Sequence, residues 1–236
     1  MIQLSDRVIV ALDTPRLEDA KKLLTELQGV ITFYKIGLEL FSAHGWKAIE
    51  LVRQFGGRIF LDLKLHDIPT TVAKTAAVIC EHEIDMFNVH ALGGFEMMRK
   101  TAETVNACVK SGRKKPIILA VTILTSHTEE DLSRDLGIQK GIKEEVVSLA
   151  RLAHKAGLNG VVCSPQEVTL VRKELPKHFT LVTPGVRPPG SDKNDQKRTL
   201  TPKVALQAGA DYLVIGRPIT AAPDPRTQAL AIINQE

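Results

Sequence analysis

Apolar and β-branched residues gather along this chain in eight short runs, at 7–13, 31–38, 58–65, 86–91, 116–124, 160–165, 180–186 and 212–219. Within each run the apolar positions are nearly continuous rather than strictly alternating, which is the pattern of a parallel strand buried on both faces. The stretches between them change period. Leu17, Ala20, Leu23, Leu24 and Leu27 fall on one helical face, as do Val146, Leu149, Ala150, Leu152, Ala153 and Ala156. A helix is therefore expected after each strand. Pro15 suits the first turn of the first helix, and Gly29, Gly157 and Gly209 stand where helix ends favour a residue that tolerates positive φ.

Two segments repeat one another. Residues 153–162 (AHKAGLNGVV) and 205–214 (ALQAGADYLV) both read as helix end, glycine turn and buried strand. Eight strand–helix alternations in 236 residues fit a single (β/α)8 barrel over 1–236 better than an open doubly wound sheet. Two connections read as loops longer than the usual few residues, 126–142 after the fifth strand and 187–200 after the seventh. Both follow strand C-termini, the face of a barrel where active sites are built.

Composition narrows the class. An apolar fraction of 44% with 25% charged residues supports one packed core rather than a disordered or fibrous chain. The segment 117–124 is the longest strongly apolar one and falls far short of the ~20 residues that span a bilayer. The first residues lack a basic stretch followed by an apolar one, so export is not expected. Cys80, Cys108 and Cys163 are odd in number and scattered, which fits buried thiols in a reducing cytoplasm. The net charge of +4 is spread along the chain apart from the run Arg113-Lys114-Lys115, read as a solvated loop, and aromatic content is only 4%. Nucleic-acid binding is accordingly not expected.

Charged residues inside a buried run are the first chemical signal. In the third run, Asp62 and Lys64 are two positions apart and so share one face of a strand, while Leu61, Leu63 and Leu65 take the other. The leucine face packs against helices, which sends the charged pair into the barrel mouth. A purely structural ion pair is the alternative, but burying one carries a desolvation cost that apolar residues avoid. Asp13 at the end of the first run and Lys35 late in the second complete a set of four charges around adjacent strand ends. An alternating array of this kind keeps both lysines and both aspartates ionised.

Across the mouth, Gly185-Val186-Arg187-Pro188-Pro189-Gly190 opens the seventh connection, which also carries Gln196, and Ile215-Gly216-Arg217-Pro218 closes the eighth strand. Bare glycine N–H groups and an arginine fork after strands seven and eight are means of holding phosphate, although either glycine–arginine pair read alone could be a simple turn. His66 and His90 belong to no metal-ligand pattern, and no metal is expected.

With these motifs in hand, the chain resembles the orotidine 5′-phosphate decarboxylase family over essentially its whole length. The resemblance rests on Asp62-x-Lys64-x-x-Asp67-Ile68-Pro69-x-Thr71, on 182–188 (VTPGVRP), on Asp195-Gln196-x-Arg198 and on Ile215-Gly216-Arg217-Pro218. It implies cofactor-independent decarboxylation of orotidine 5′-phosphate to UMP. Lys64 would be the proton donor, Asp62 would lie beside the scissile carboxylate, and Asp13 and Lys35 would hold the ribose hydroxyls. Thr125, in the less distinctive stretch 121–126, would contact the pyrimidine. Arg187, Gln196, Gly216 and Arg217 would bind or close over the phosphate. The resemblance further implies a homodimer in which Asp67 and Thr71 reach into the neighbouring subunit's site. Sister barrels acting on sugar phosphates with Mg2+ share the Asp-x-Lys-x-x-Asp core, and a non-catalytic phosphate sensor could use the same scaffold. Ile68-Pro69, Thr71 and Gln196 favour the nucleotide enzyme over the first, and the four mouth charges disfavour the second.

Overall fold

The computed structural model describes residues 4–186 and 200–234. Its strands are β1 (Val8–Ala11), β2 (Phe33–Gly37), β3 (Arg58–Leu65), β4 (Met86–His90), β5 (Ile117–Val121), β6 (Gly160–Val162), β7 (Thr180–Thr183) and β8 (Tyr212–Ile215). They pair in sequence order, all parallel, and β8 returns to β1 to close the barrel. Each predicted run contains one of these strands. Several runs overshoot at the C-terminal end, because residues such as Asp13 and Leu124 leave the ladder to line the mouth.

Alternation divides the core into two layers. Ile9, Ala11, Phe33, Phe60, Met86, Leu119, Val182 and Val214 fill the barrel interior. Val8, Val10, Ile36, Leu61, Phe87 and Val161 point outward into the larger layer beneath the helices. Both faces of the sheet are thus removed from water, which is why the strands read as unbroken apolar runs. Among the described residues, no helix is long and apolar enough to cross a membrane.

The repeated segments are structurally equivalent. The helix Ile142–Lys155 leads through Gly157 (φ 86°) to β6, and the helix Pro202–Gln207 leads through Gly209 (φ 108°) to β8. Positive φ at these turns is accessible to glycine without steric cost.

Two expectations need correction. Pro15 lies before the first helix, Leu17–Leu27, not in its first turn: Arg16 is extended (φ −117°, ψ 129°), and the Pro15 carbonyl instead meets the His44 ring at 2.8 Å. The connection at 126–142 is also not a plain loop. It contains the helix Glu129–Asp135, started by a capping box in which the Thr128 hydroxyl accepts from the Asp131 N–H and the Asp131 carboxylate accepts from the Thr128 N–H. Burial of Leu132 anchors that helix to the core. Arg113, Lys114 and Lys115 are exposed, as expected of a solvated loop.

Candidate active site

β3 begins as an ordinary inner strand, with Phe60 inside, Leu61 outside and Asp62 inside. Beyond Asp62 the ladder to β4 slips. Leu61 pairs with Phe87 but Leu65 pairs with Val89, so four steps on β3 face two on β4. Lys64 takes up the excess in a left-handed conformation, φ 50°. For a non-glycine residue that conformation costs about 1–2 kcal/mol and needs support from its surroundings. Support comes from β4, where the Asn88 Oδ1 accepts the Lys64 backbone N–H at 2.8 Å.

Asp62 and Lys64 therefore do meet on the inner side, with Nζ 2.7 Å from Asp62 Oδ1, but through a bulge and not through simple strand alternation. Leu63 and Leu65 pack toward the outer layer. The charges form one row. Asp13 Oδ1 lies 2.8 Å from Lys35 Nζ, and the same ammonium lies 3.3 Å from Asp62 Oδ2. Lys35 thus offsets two carboxylates, as the alternating pattern requires, and Lys64 pairs with Asp62.

Electrostatics keep Asp62 and Lys35 ionised. Burial works to raise the Asp62 pKa, but the Lys35 and Lys64 ammoniums, with hydrogen bonds from Lys64 and Asn88, hold it below the ordinary carboxylate range. Burial likewise works to lower the Lys35 pKa, and Asp62 and Asp13 reverse the effect, so the ammonium is held above its usual value. Gly37 makes room for this amine. A β-carbon there would sit 2.8 Å from Lys35 Nζ and 3.1 Å from Asp13 Oδ1. The close approach was not anticipated, although its sequence signal is plain: Gly37 is two residues after Lys35 on the same strand face.

A cavity of about 540 Å3 opens at this end of the barrel. Asp13, Lys35, Asp62, Lys64, Thr125, Gly216 and Arg217 all line it. Seven expected site residues are therefore brought together. Phe60, Cys163 and Thr220 also line the cavity without having been anticipated; each follows from inward alternation or from a position just past a strand end. Arg187 and Gln196 lie outside the described residues. Asp67 and Thr71 are exposed and do not line the cavity of their own chain. Asp67 Oδ1 accepts the Ile68 N–H at 2.6 Å, and Thr71 sits in the first turn of the helix Pro69–Glu81.

The two histidines near the mouth pack on each other, ring centroids 5.3 Å apart at 20°. Burial, with His66 and Lys64 nearby, pushes the His90 pKa down to about 4, and His90 Nδ1 accepts the Leu92 N–H. Among the described residues, no group of three or more His, Cys, Asp or Glu side chains is placed to hold a metal ion.

A closed eight-stranded parallel barrel with a charged cavity at its mouth defines the class, a (β/α)8-barrel enzyme, and comparison with known proteins makes it specific. The orotidine 5′-phosphate decarboxylase / HUMPS family matches residues 6–232, and the chain belongs to that family. An orotidine 5′-phosphate decarboxylase of Moorella thermoacetica is 49% identical over 228 residues, covering 96% of this chain and 90% of the relative. One from Geobacter metallireducens is 48% identical over 233 residues, covering 99% and 97%. The crystal structure of orotidine 5′-phosphate decarboxylase from Lactobacillus acidophilus superposes with a TM-score of 0.84 at 39% identity, covering 96% of this chain and 97% of the other. The chain is an enzyme of the same kind as these relatives, a carboxy-lyase.

Proposed function

We propose that this protein converts orotidine 5′-phosphate to UMP, with the whole chain, 1–236, acting as one domain in the cytoplasm and using side chains alone. The observation that carries the reading is the 2.7 Å contact between Asp62 and Lys64 on the wall of a cavity that extends to Gly216 and Arg217. An ammonium and a phosphate grip on the walls of one cavity match a substrate that carries both a reacting carboxylate and a phosphate.

The reaction breaks the bond between C6 and the carboxylate carbon. CO2 departs, and the electron pair remains on C6 in an sp2 orbital with no adjacent carbonyl to delocalise it. In our reading the Lys64 ammonium stabilises that charge as it develops and then transfers a proton to C6, leaving a neutral amine that solvent reprotonates. Asp62 lies beside the substrate carboxylate and orients Lys64. Asp13 and Lys35 hold the ribose hydroxyls, Thr125 meets the pyrimidine, and Gly216 and Arg217, with Arg187 and Gln196, take the phosphate. Binding energy from that remote phosphate can be used to orient the reacting end.

The same reading has two subunits sharing each site, with Asp67 and Thr71 entering the neighbour's cavity. Lys64 would then gain a second carboxylate. The surface around these residues supports pairing: Leu38, Ile68 and Leu92 follow β2, β3 and β4 on adjacent strand ends and are 56%, 67% and 38% exposed. Neighbouring apolar side chains left in water are typical of a surface that another chain covers.

The test is absorbance-monitored turnover of orotidine 5′-phosphate by EDTA-treated protein, with Lys64→Ala as the control. Full activity after metal stripping, and a loss of at least about a thousandfold in the variant, is the expected result. An inactive parent enzyme, or a variant as fast as the parent, overturns the proposal.

A further inference from the structure

Asn88 lies on β4 with 1% of its surface exposed, in the inward-facing series Met86, Asn88, His90. A polar side chain buried inside a barrel filled largely by apolar side chains needs partners that make up for lost water. Both of its partners belong to the Asp62–Lys64 pair. Nδ2 donates to Asp62 Oδ1 at 2.7 Å, and Oδ1 accepts the Lys64 N–H at 2.8 Å. Asp62 Oδ1 is also the atom that accepts from Lys64 Nζ at 2.7 Å.

We propose that Asn88 is a positioning residue for decarboxylation: one planar amide fixes the left-handed backbone of Lys64 and, at the same time, the Asp62 oxygen that aims the Lys64 ammonium into the cavity. This rests on the decarboxylase reading given above. Among the described residues Asn88 is not part of the cavity wall, so it acts through the pair and not on the substrate.

The chemistry of position 88 is narrow. The Lys64 N–H demands an acceptor and the Asp62 carboxylate demands a donor, and a primary amide supplies both from one rigid group. Leucine would supply neither. Aspartate would keep the acceptor and replace the donor with a negative charge facing Asp62. Without the amide, the bulge of β3 has lost the bond that offsets its strain, and the ammonium is free to shift along the strand. A displacement of an ångström at a reacting group costs up to about a hundredfold in rate.

The experiment is steady-state kinetics of Asn88→Ala and Asn88→Asp with orotidine 5′-phosphate from about pH 3 to pH 9, alongside NMR titration of the Asp62 carboxyl in each protein over the same range. We expect Asn88→Ala to lower kcat at least about tenfold while KM stays within about threefold. The Asp62 titration and the acid limb of kcat should both move to higher pH, further in Asn88→Asp than in Asn88→Ala. A folded Asn88→Ala protein with parental kcat and an unmoved Asp62 titration overturns the proposal, as does a loss confined to KM. Asn88→Asp keeps the size and the acceptor, so it supplies the same readouts where alanine fails to fold. Failure of both to fold assigns Asn88 to stability alone and also overturns the proposal. Should the parent enzyme leave the nucleotide untouched, the decarboxylase reading falls by itself, and the Asp62 titration still judges Asn88.

Discussion

Gly37 and Lys35 lie on the same inner face of β2, and a β-carbon on the glycine would come within 2.8 Å of the lysine ammonium. That ammonium also touches Asp13 and Asp62, so it cannot retreat without breaking the charge row. Gly37→Ala should therefore leave the barrel folded but lower kcat/KM about ten- to a hundredfold, the effect of moving a positioning group by an ångström or less. Kinetics paired with a thermal melt checks this; parental kcat/KM in the variant would show that Lys35 has room to spare.

Removing the same amine tests the energetics of the row. In Lys35→Met, Asp62 stays buried with Lys64 as its remaining ion-pair partner, and the loss at pH 7 should be about 3 kcal/mol, the lower end for stripping one partner from a buried pair. The pH dependence has a definite sign. The folded-state pKa of Asp62 is depressed, so its contribution is present above the unfolded carboxylate pKa and disappears as pH falls through the folded value. Urea unfolding of parent and variant should then show a gap that narrows steadily below about pH 4. A gap independent of pH would mean that lost packing, not lost charge, accounts for the change.

How far this site can be read from the chain alone depends on the range of the interactions that make it. The strands are legible because burial on both faces leaves unbroken apolar runs, and Asp62 and Lys64 stand out because charge inside such a run has no packing explanation. Thr128 and Asp131 form a capping box from residues close in sequence, yet the helix they start inside the fifth connection was not anticipated. The bulge at Lys64 is a different matter. It depends on Asn88, which is 24 positions away on the next strand, and no local pattern marks a lysine for the left-handed region. Gly37 is intermediate, since inward alternation from Lys35 identifies it once β2 is recognised as a strand.

The apolar strand-end residues offer a test of subunit pairing that leaves the cavity untouched. Ile68 is 67% exposed in the single chain. Ile68→Glu would place a charge where a second subunit is proposed to pack, and uncompensated charge in an interface is unfavourable. Sedimentation should find the parent as a dimer and the variant shifted toward monomer, with kcat/KM falling in step because Asp67 and Thr71 no longer reach the neighbouring site. A variant that stays dimeric and fully active would move the interface to another face.

Arg217 lines the same cavity as the charge row, and in our reading it acts through the phosphate. A charge-assisted hydrogen bond to phosphate is worth up to about 3 kcal/mol, which corresponds to roughly a hundredfold in kcat/KM. Arg217→Ala should lose that factor on orotidine 5′-phosphate and almost nothing on orotidine, which has no phosphate to grip. Because remote binding energy serves to orient the reacting end, part of the loss should appear in kcat as well as in KM. Adding inorganic phosphite or phosphate should accelerate the parent enzyme on orotidine and fail to do so in the variant. Equal losses on both substrates would mean that Arg217 supports the fold of the mouth and not the phosphate, and the assignment of Arg217 to the phosphate would have to be abandoned.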